Sequence, residues 1–132
     1  MKKMKTVLIV EDDFLLQFGF KGKKPKNVNL LQARTCEQAR EIFKKNKGDI
    51  DVIAFDGIMR PDDDIISHEP IDSEDITTLK LIKEIKKEFG GIMIAMSSKE
   101  DILKQQIEAG CDLKLDEKMK LFEFIAEYEK VK

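Results

Sequence analysis

Residues 52–56 read Val-Ile-Ala-Phe-Asp, an uninterrupted apolar run that ends in a carboxylate. Four further short apolar runs occur along the chain, at 6–10, 28–31, 92–96 and 113–115. The runs at 6–10, 52–55 and 92–96 show no alternation of polar and apolar residues, which is typical of strands that are covered on both faces. The last run is broken by Lys114 and therefore predicts an edge strand.

Helical patterns separate these runs, at 14–20, 35–48, 76–89, 98–110 and 121–128. The second begins in a capping box at 35–38, and the fourth is predicted to begin at a Ser98 cap and to end at Gly110. The first is predicted to be barely two turns long, because Gly19, Gly22 and Pro25 limit it. Strands that alternate with helices imply parallel pairing through right-handed crossovers, and hence an open sheet with helices on both faces.

The composition is that of an ordinary globular domain. Its 132 residues fit one domain, and the formal charge of −2 does not indicate nucleic acid or a membrane as a partner. No apolar stretch approaches the roughly 20 residues that cross a bilayer, and the run after the basic N-terminus is too short for a signal peptide. We therefore expect a cytoplasmic protein. Cys36 and Cys111 stand far apart in the sequence and predict reduced thiols rather than a disulfide or a metal site.

Carboxylates follow two of the predicted strands. Glu11, Asp12 and Asp13 come directly after the first strand, Asp56 ends the third, and Ser97 follows the fourth. In open sheets of parallel strands, ligands bind beyond the carboxyl ends of the strands, so we expect these side chains to converge there. Capping of the first helix accounts for Asp12 or Asp13. It does not account for Asp56, which follows an apolar run and is not directly followed by a predicted helix.

This group of carboxylates predicts a cation. Two carboxylates about 5 Å apart repel by roughly 3 kcal/mol at an effective dielectric constant near 20, so three need protons or a metal ion. Oxygen-only ligands suit Mg²⁺. An aspartate beside Mg²⁺ can attack a phosphoryl donor and form an acyl phosphate, while the metal and a lysine neutralise the phosphoryl oxygens.

Four segments resemble the receiver domains of two-component response regulators, in the correct order and over essentially the whole chain. They match the first strand with its acidic pair, the strand of the phosphoacceptor, the fourth strand with its Ser/Thr, and the turn before the fifth strand: 7–13, 51–59, 92–98 and 109–112. The resemblance implies a flavodoxin-like α/β fold, with a doubly wound five-stranded parallel sheet in the order 2-1-3-4-5 and helices on both faces.

The resemblance also implies a function. It makes 1–132 a stand-alone receiver domain and a signalling switch rather than an enzyme. A histidine kinase or a phosphotransfer protein would donate the phosphoryl group, and an unknown downstream protein would receive the signal. The alternative is a degenerate receiver that acts as a docking module without phosphorylation.

Carried over to the matching positions of this sequence, the resemblance makes Asp56 the phosphoacceptor. It implies that Mg²⁺ is bound by Asp12 directly, by Glu11 through water, by Asp56, and by the backbone carbonyl of Ile58. Ser97 matches the hydroxyl that contacts the phosphoryl group.

The lysine that contacts the phosphoryl group is not decided by the resemblance. Counting from Gly110 without gaps places Glu117 at its position, and a carboxylate would repel the phosphoryl oxygens. Lys118, one residue later, is preferred to Lys114 because it requires only one extra residue before the last helix. Lys114 would have to reach around the end of its short strand, which the four-carbon stem of lysine could allow.

The sequence departs from the family pattern in two further places. Segment 60–75 holds seven acidic residues against one base, and we interpret it as an extended, solvated acidic loop rather than a second metal site at His68. The fifth strand, 113–115, lacks the aromatic residue that switches position in the family.

Overall fold

The computed structural model describes residues 4–59 and 78–131. The predicted acidic loop at 60–75 lies outside the described residues. The strands are β1 Lys5–Val10, β2 Val28–Ala33, β3 Val52–Asp56, β4 Ile92–Met96 and β5 Leu113–Leu115. The helices are α1 Phe14–Lys23, α2 Cys36–Asn46, α3 Leu79–Lys86, α4 Glu100–Ala109 and α5 Leu121–Val131, the last preceded by a 3₁₀ turn at Lys118–Lys120.

The five strands form one parallel sheet in the order β2-β1-β3-β4-β5. This is the flavodoxin-like order predicted from the sequence, and β5 lies at the edge, as the Lys114 interruption indicated. The register pairs Val10 of β1 with Phe55 of β3, and Asp56 with Met96 of β4. The carboxyl ends of the three central strands therefore lie side by side.

Two apolar layers sandwich the sheet, because successive side chains of a strand point to opposite faces. On one face, Leu8 and Ile53 pack with α2, α3 and α4. On the other, Ile9 and Ala54 pack with α1 and α5, where the rings of Phe20 and Phe122 meet edge to face. Burial on both faces explains why the central strands have no polar alternation.

The first helix is longer than predicted. Asp13 caps it, since its Oδ1 accepts hydrogen bonds from the backbone N–H groups of Leu15 and Leu16 at 2.8 and 3.2 Å, and the helix continues to Lys23. Gly19 does not end it. A Cβ at Gly19 would lie 2.8 Å from Cε of Met119, so this glycine instead lets α1 approach the 3₁₀ turn closely.

The predicted ends of the other helices are partly correct. Thr35 caps α2 as expected, accepting from the Gln38 N–H at 3.0 Å, and Gly110 ends α4 with a positive φ of 140°. The predicted Ser98 cap of α4 is wrong. The helix begins at Glu100, and the hydroxyl of Ser97 accepts the N–H of Lys99 at 3.1 Å. Acidic side chains in the first turn of α4 face the positive end of the helix dipole instead.

The third helix is shorter than the predicted 76–89. Within the described residues it begins at Leu79 and ends at Lys86, although Phe89 still packs into the core. Cys36 and Cys111 are both free and buried. In the described parts of the chain, no helix has the length and apolar character that a membrane crossing requires.

Candidate metal centre

Three carboxylates meet at the carboxyl edge of the sheet. Glu11 and Asp12 follow β1, and Asp56 ends the neighbouring β3. One oxygen from each lies within 4.8 Å of the other two. Glu11 is 1% exposed and Asp56 is 8% exposed, so neither charge is well solvated. The structure thus brings together the three acids that the strand ends predicted.

Lys118 lies between two of these acids. Its Nζ donates to Oε1 of Glu11 at 2.7 Å and to Oδ1 of Asp56 at 2.8 Å. The lysine belongs to the 3₁₀ turn between β5 and α5, which places its ammonium above the end of β3. The ammonium of Lys118 neutralises only part of the negative charge of the three carboxylates. A further cation would therefore still be attracted to the site.

Lys114, the alternative lysine, lies elsewhere. Its Nζ forms an ion pair with Oε1 of Glu100 at 2.9 Å, and both side chains are largely exposed, at 57% and 76%. The middle of β5 therefore directs this side chain toward α4 at the surface. Of the two candidates, only Lys118 contacts Asp56 in the structure.

Burial has the largest single effect on the pKa values of Glu11, Asp12 and Lys118. Burial, followed by the charge of Asp56, raises the pKa of Glu11 to about 7, although Lys118 opposes the shift. Burial and the charge of Asp56 likewise raise the pKa of Asp12. For Lys118, burial disfavours the charged form, but the carboxylates of Asp56 and Glu11 outweigh it and raise the pKa. The ammonium of Lys118 stays charged, and the carboxyl groups of Glu11 and Asp12 hold their protons more tightly than they would in water.

Two further predicted residues lie next to Asp56. Ser97 is buried at the end of β4, and its Cβ is 3.5 Å from the position of a Cβ built on Gly57. Its hydroxyl accepts from Lys99 N. Ile58 lies two residues beyond Asp56, and its side chain is 38% exposed.

Comparison with known proteins identifies the fold. No protein-family model matches the chain, and no curated protein does. Solved structures match over nearly its whole length. A two-component response regulator from Clostridium difficile is 18% identical with a TM-score of 0.69, over 97% of this chain and 95% of that one. The chemotaxis protein CheY4 of Vibrio cholerae is 14% identical with a TM-score of 0.67, over 94% and 98%.

A third match is a chain from the complex of CheX, CheY, BeF₃ and Mg²⁺ of Borrelia burgdorferi. It is 22% identical with a TM-score of 0.61, over 94% of this chain and 88% of that one. The chain has the receiver fold. This confirms the fold that the four sequence segments indicated, and the carboxyl edge of its sheet is where Glu11, Asp12 and Asp56 meet.

The donor set at this edge of the receiver fold suits a divalent cation. Three carboxylates face one ammonium, which leaves two negative charges when all groups are ionised. Two carboxylate oxygens within 4.8 Å of each other repel by at least about 3 kcal/mol at an effective dielectric constant of 20 when both groups are ionised. The donors are oxygens only, and hard oxygen donors select Mg²⁺ over softer metals. The residues present therefore fit Mg²⁺.

Sequence reasoning missed three buried polar side chains beneath the site: Gln17, Thr78 and Gln106. Nε2 of Gln17 donates to the carbonyl of Glu11 at 3.0 Å and to that of Ala33 at 3.0 Å, which joins the ends of β1 and β2. The sequence could have revealed Gln17 in one way: it is a glutamine on the side of a helix that faces the core, where an apolar residue is usual. A buried amide at such a position needs partners, and strand-end carbonyls supply them.

Proposed function

We propose that this chain is a phosphoryl-accepting switch of a two-component signalling system, phosphorylated on Asp56 with the help of Mg²⁺. The observation that carries the proposal is the contact of Lys118 with both Glu11 and Asp56, beside Asp12. A carboxylate nucleophile, a fixed ammonium and a group of metal-ligating oxygens are what phosphoryl transfer to an aspartate requires.

The chemistry follows from these groups. One oxygen of Asp56 attacks the phosphorus of a phosphohistidine, the new O–P bond forms, and the P–N bond breaks with its electron pair passing to the imidazole nitrogen. Lys118 holds positive charge where the phosphoryl oxygens arrive. When bound, Mg²⁺ supplies further charge stabilisation and orients the incoming oxygens. We expect Asp12, Glu11, Asp56 and the carbonyl of Ile58 to hold it, and Ser97 to contact the phosphoryl group.

The product is a modified switch and not a released molecule. Phosphorylation changes the charge and size of the group on Asp56, next to the first residues after β3 and β4. We expect this change to alter contact with a downstream protein. The proposal therefore describes a signalling domain rather than an enzyme that turns over a substrate.

An exposed apolar patch near the site suits a protein donor. Phe14, Leu15 and Phe18 of α1 are 59%, 76% and 68% exposed, and such patches mark interaction surfaces. The patch borders the acidic residues that follow β1, because the guanidinium of Arg34 lies over the Phe14 ring at 5.4 Å and its Nε donates to the carbonyl of Asp12 at 3.4 Å. A donor that presents a phosphohistidine to Asp56 would cover this patch.

Beryllofluoride, a mimic of a phosphoryl group on a carboxylate, tests the site without a donor protein. In NMR titrations we expect it to bind the wild-type chain only when Mg²⁺ is present, with large shifts at Gly57 and Ser97. Asp56→Asn should abolish the binding, and Asp116→Asn, at an exposed position outside the site, should not. Absence of Mg²⁺-dependent binding in the wild type would favour the docking-module alternative.

A further inference from the structure

Two fully buried polar side chains hold the backbone from which Asp56 projects. Gln106 of α4 and Thr78, directly before α3, are each 0% exposed. Nε2 of Gln106 donates to the carbonyl of Phe55 at 3.0 Å and to that of Asp56 at 3.2 Å, and it lies 3.3 Å from Oγ1 of Thr78. The amide thus ties α4 to the last two residues of β3.

Thr78 holds the same point from another side. A threonine just before a helix normally caps it by accepting a backbone N–H with its hydroxyl. Thr78 makes no such cap. Its hydroxyl donates to the carbonyl of Asp56 instead, at 2.5 Å, and its backbone N–H donates to the carbonyl of Gly57 at 3.2 Å. The usual capping group of α3 is therefore used to hold the Asp56–Gly57 peptide.

The position of Gly57 sets that of the acceptor side chain. Its N–H donates to Oδ1 of Asp56 at 2.8 Å. A Cβ at Gly57 would lie 2.2 Å from Cγ2 of Ile102 and 3.5 Å from Oε1 of Gln106, so α4 lies directly on this glycine. A shift of the peptide would move the N–H that fixes the carboxylate.

The two halves of the Gln106 amide are used unequally. The NH₂ group contacts three oxygens, whereas the buried Oε1 has no hydrogen-bond partner among the described residues. A buried acceptor without a donor is unfavourable. An apolar residue would avoid this cost, so packing alone does not explain a glutamine here. What the glutamine provides is its donor group, directed at the carbonyls of β3.

We infer that Gln106 and Thr78 are positioning residues for phosphorylation. They fix the Asp56–Gly57 backbone so that the carboxylate stays between Lys118 and the metal-ligating oxygens. Neither touches the reacting atoms, and both act through the peptide that carries Asp56. The inference rests on the proposed function, and it also predicts a structural effect that can be observed without phosphorylation.

Four variants test it. Gln106→Met keeps the length of the side chain and removes the donor, and Thr78→Val keeps the shape and removes the hydroxyl. Thr78→Ser restores the hydroxyl, and Gln105→Met is the matched control at an exposed position of the same helix. The rate of phosphorylation by acetyl phosphate is measured at saturating Mg²⁺ over a range of donor concentrations. The amide resonance of Gly57 is recorded by NMR without donor or metal.

Gln106→Met and Thr78→Val should lower the maximal rate at least about tenfold, since small misplacements of reacting groups have effects of this order. Because the rates are measured at saturating Mg²⁺, weaker metal binding would not account for this loss, and the Gly57 resonance of both variants should shift. Thr78→Ser and Gln105→Met should behave like wild type in rate and resonance. A merely structural role would lower stability without this pattern.

Folded Gln106→Met and Thr78→Val proteins with wild-type maximal rates and an unmoved Gly57 resonance would overturn the inference. If Gln106→Met does not fold, the comparison of Thr78→Val with Thr78→Ser decides it. If the wild type is not phosphorylated at all, the proposed function fails. The Gly57 resonance in the four variants then decides alone whether the two residues position this peptide.

Discussion

Nζ of Lys118 lies 2.8 Å from Oδ1 of Asp56, although counting along the sequence places Glu117 where this lysine should be. The 3₁₀ turn at Lys118–Lys120 accounts for the difference. It accommodates one extra residue before α5, and Met119 of the same turn lies against Gly19 of α1. Glu117 pairs with Lys120 at the surface, at 3.2 Å. The turn thus places an ammonium rather than a carboxylate beside Asp56.

Lys118→Ala should slow phosphorylation of Asp56 by small donors about 100-fold or more, the usual effect of losing one group that stabilises transition-state charge. Lys114→Ala is the matched control and should have little effect, because Lys114 pairs with Glu100 at the surface. Rates are measured by intact-mass spectrometry at saturating Mg²⁺. A large effect of Lys114→Ala with none of Lys118→Ala would reverse the assignment.

The stability of the metal-free protein should fall as the pH rises from about 4.5 to about 7. The pKa of Glu11 is raised from 4.5 to about 7 in the folded chain, so the folded state binds this proton more tightly than the unfolded state. The corresponding stability is fully present below pH 4.5 and is lost as the pH rises through the folded pKa.

Glu11→Gln, which mimics the protonated acid, should therefore be more stable than wild type above pH 7, by at most about 3 kcal/mol. Urea unfolding in the presence of a chelator, at pH 5 and pH 8, measures this difference. Saturating Mg²⁺ should remove the advantage of the variant at pH 8. If the difference in unfolding free energy between wild type and Glu11→Gln is the same at pH 5 and at pH 8, Glu11 does not titrate in this range.

Asp12→Asn should weaken Mg²⁺ binding more than Glu11→Gln does. Both carboxylate oxygens of Glu11 already accept hydrogen bonds, Oε1 from Lys118 at 2.7 Å and Oε2 from the Asp13 N–H at 3.1 Å. We therefore expect Asp12 to be the direct ligand and Glu11 to act through water. Loss of an outer-shell group costs about 10–100-fold in affinity, and loss of a direct ligand should exceed this. Isothermal titration calorimetry with Mg²⁺ gives the order, and the reverse order would exchange the two roles.

Leu15→Glu and Phe18→Glu should impair phosphorylation by a protein donor and leave phosphorylation by acetyl phosphate unchanged. Both side chains belong to the exposed patch on α1, and neither is among the residues that form the carboxylate site. Ile107→Glu, at a 36% exposed apolar position on α4, is the matched control and should affect neither reaction. Equal loss with both donors would place the effect in the site itself and not in docking.

The fold could be predicted because each central strand contains an uninterrupted apolar run, at 7–10, 52–55 and 92–96, and a polar residue directly follows each run at the same edge of the sheet. The boundaries of helices were harder to predict. Ser98 has the residue type and spacing of a cap, but the hydroxyl of Ser97 takes the N–H of Lys99. Gly19 was expected to shorten α1, because glycine weakens helices. Its close approach to Met119 involves a distant part of the chain and is seen only in the folded structure.

The acids of the site could also be predicted, since strand ends determine their position. The role of Gln106 could not, because its partners are backbone carbonyls 50 and 51 residues away in the sequence. Backbone groups are the same at every position, so no residue pattern marks them. The sequence pattern of α4 shows only that Gln106 occupies a position where an apolar residue is expected, and it does not show which groups the glutamine contacts.

The central claim is that Asp56 accepts a phosphoryl group, and intact-mass spectrometry after incubation with acetyl phosphate tests it most directly. With Mg²⁺, the wild type and Asp116→Asn should each gain one phosphoryl group, and chelation of the metal should prevent the gain. Asp56→Asn should gain none. A wild-type chain that stays unmodified at saturating donor and Mg²⁺, or an Asp56→Asn chain modified as fast as wild type, would contradict the account.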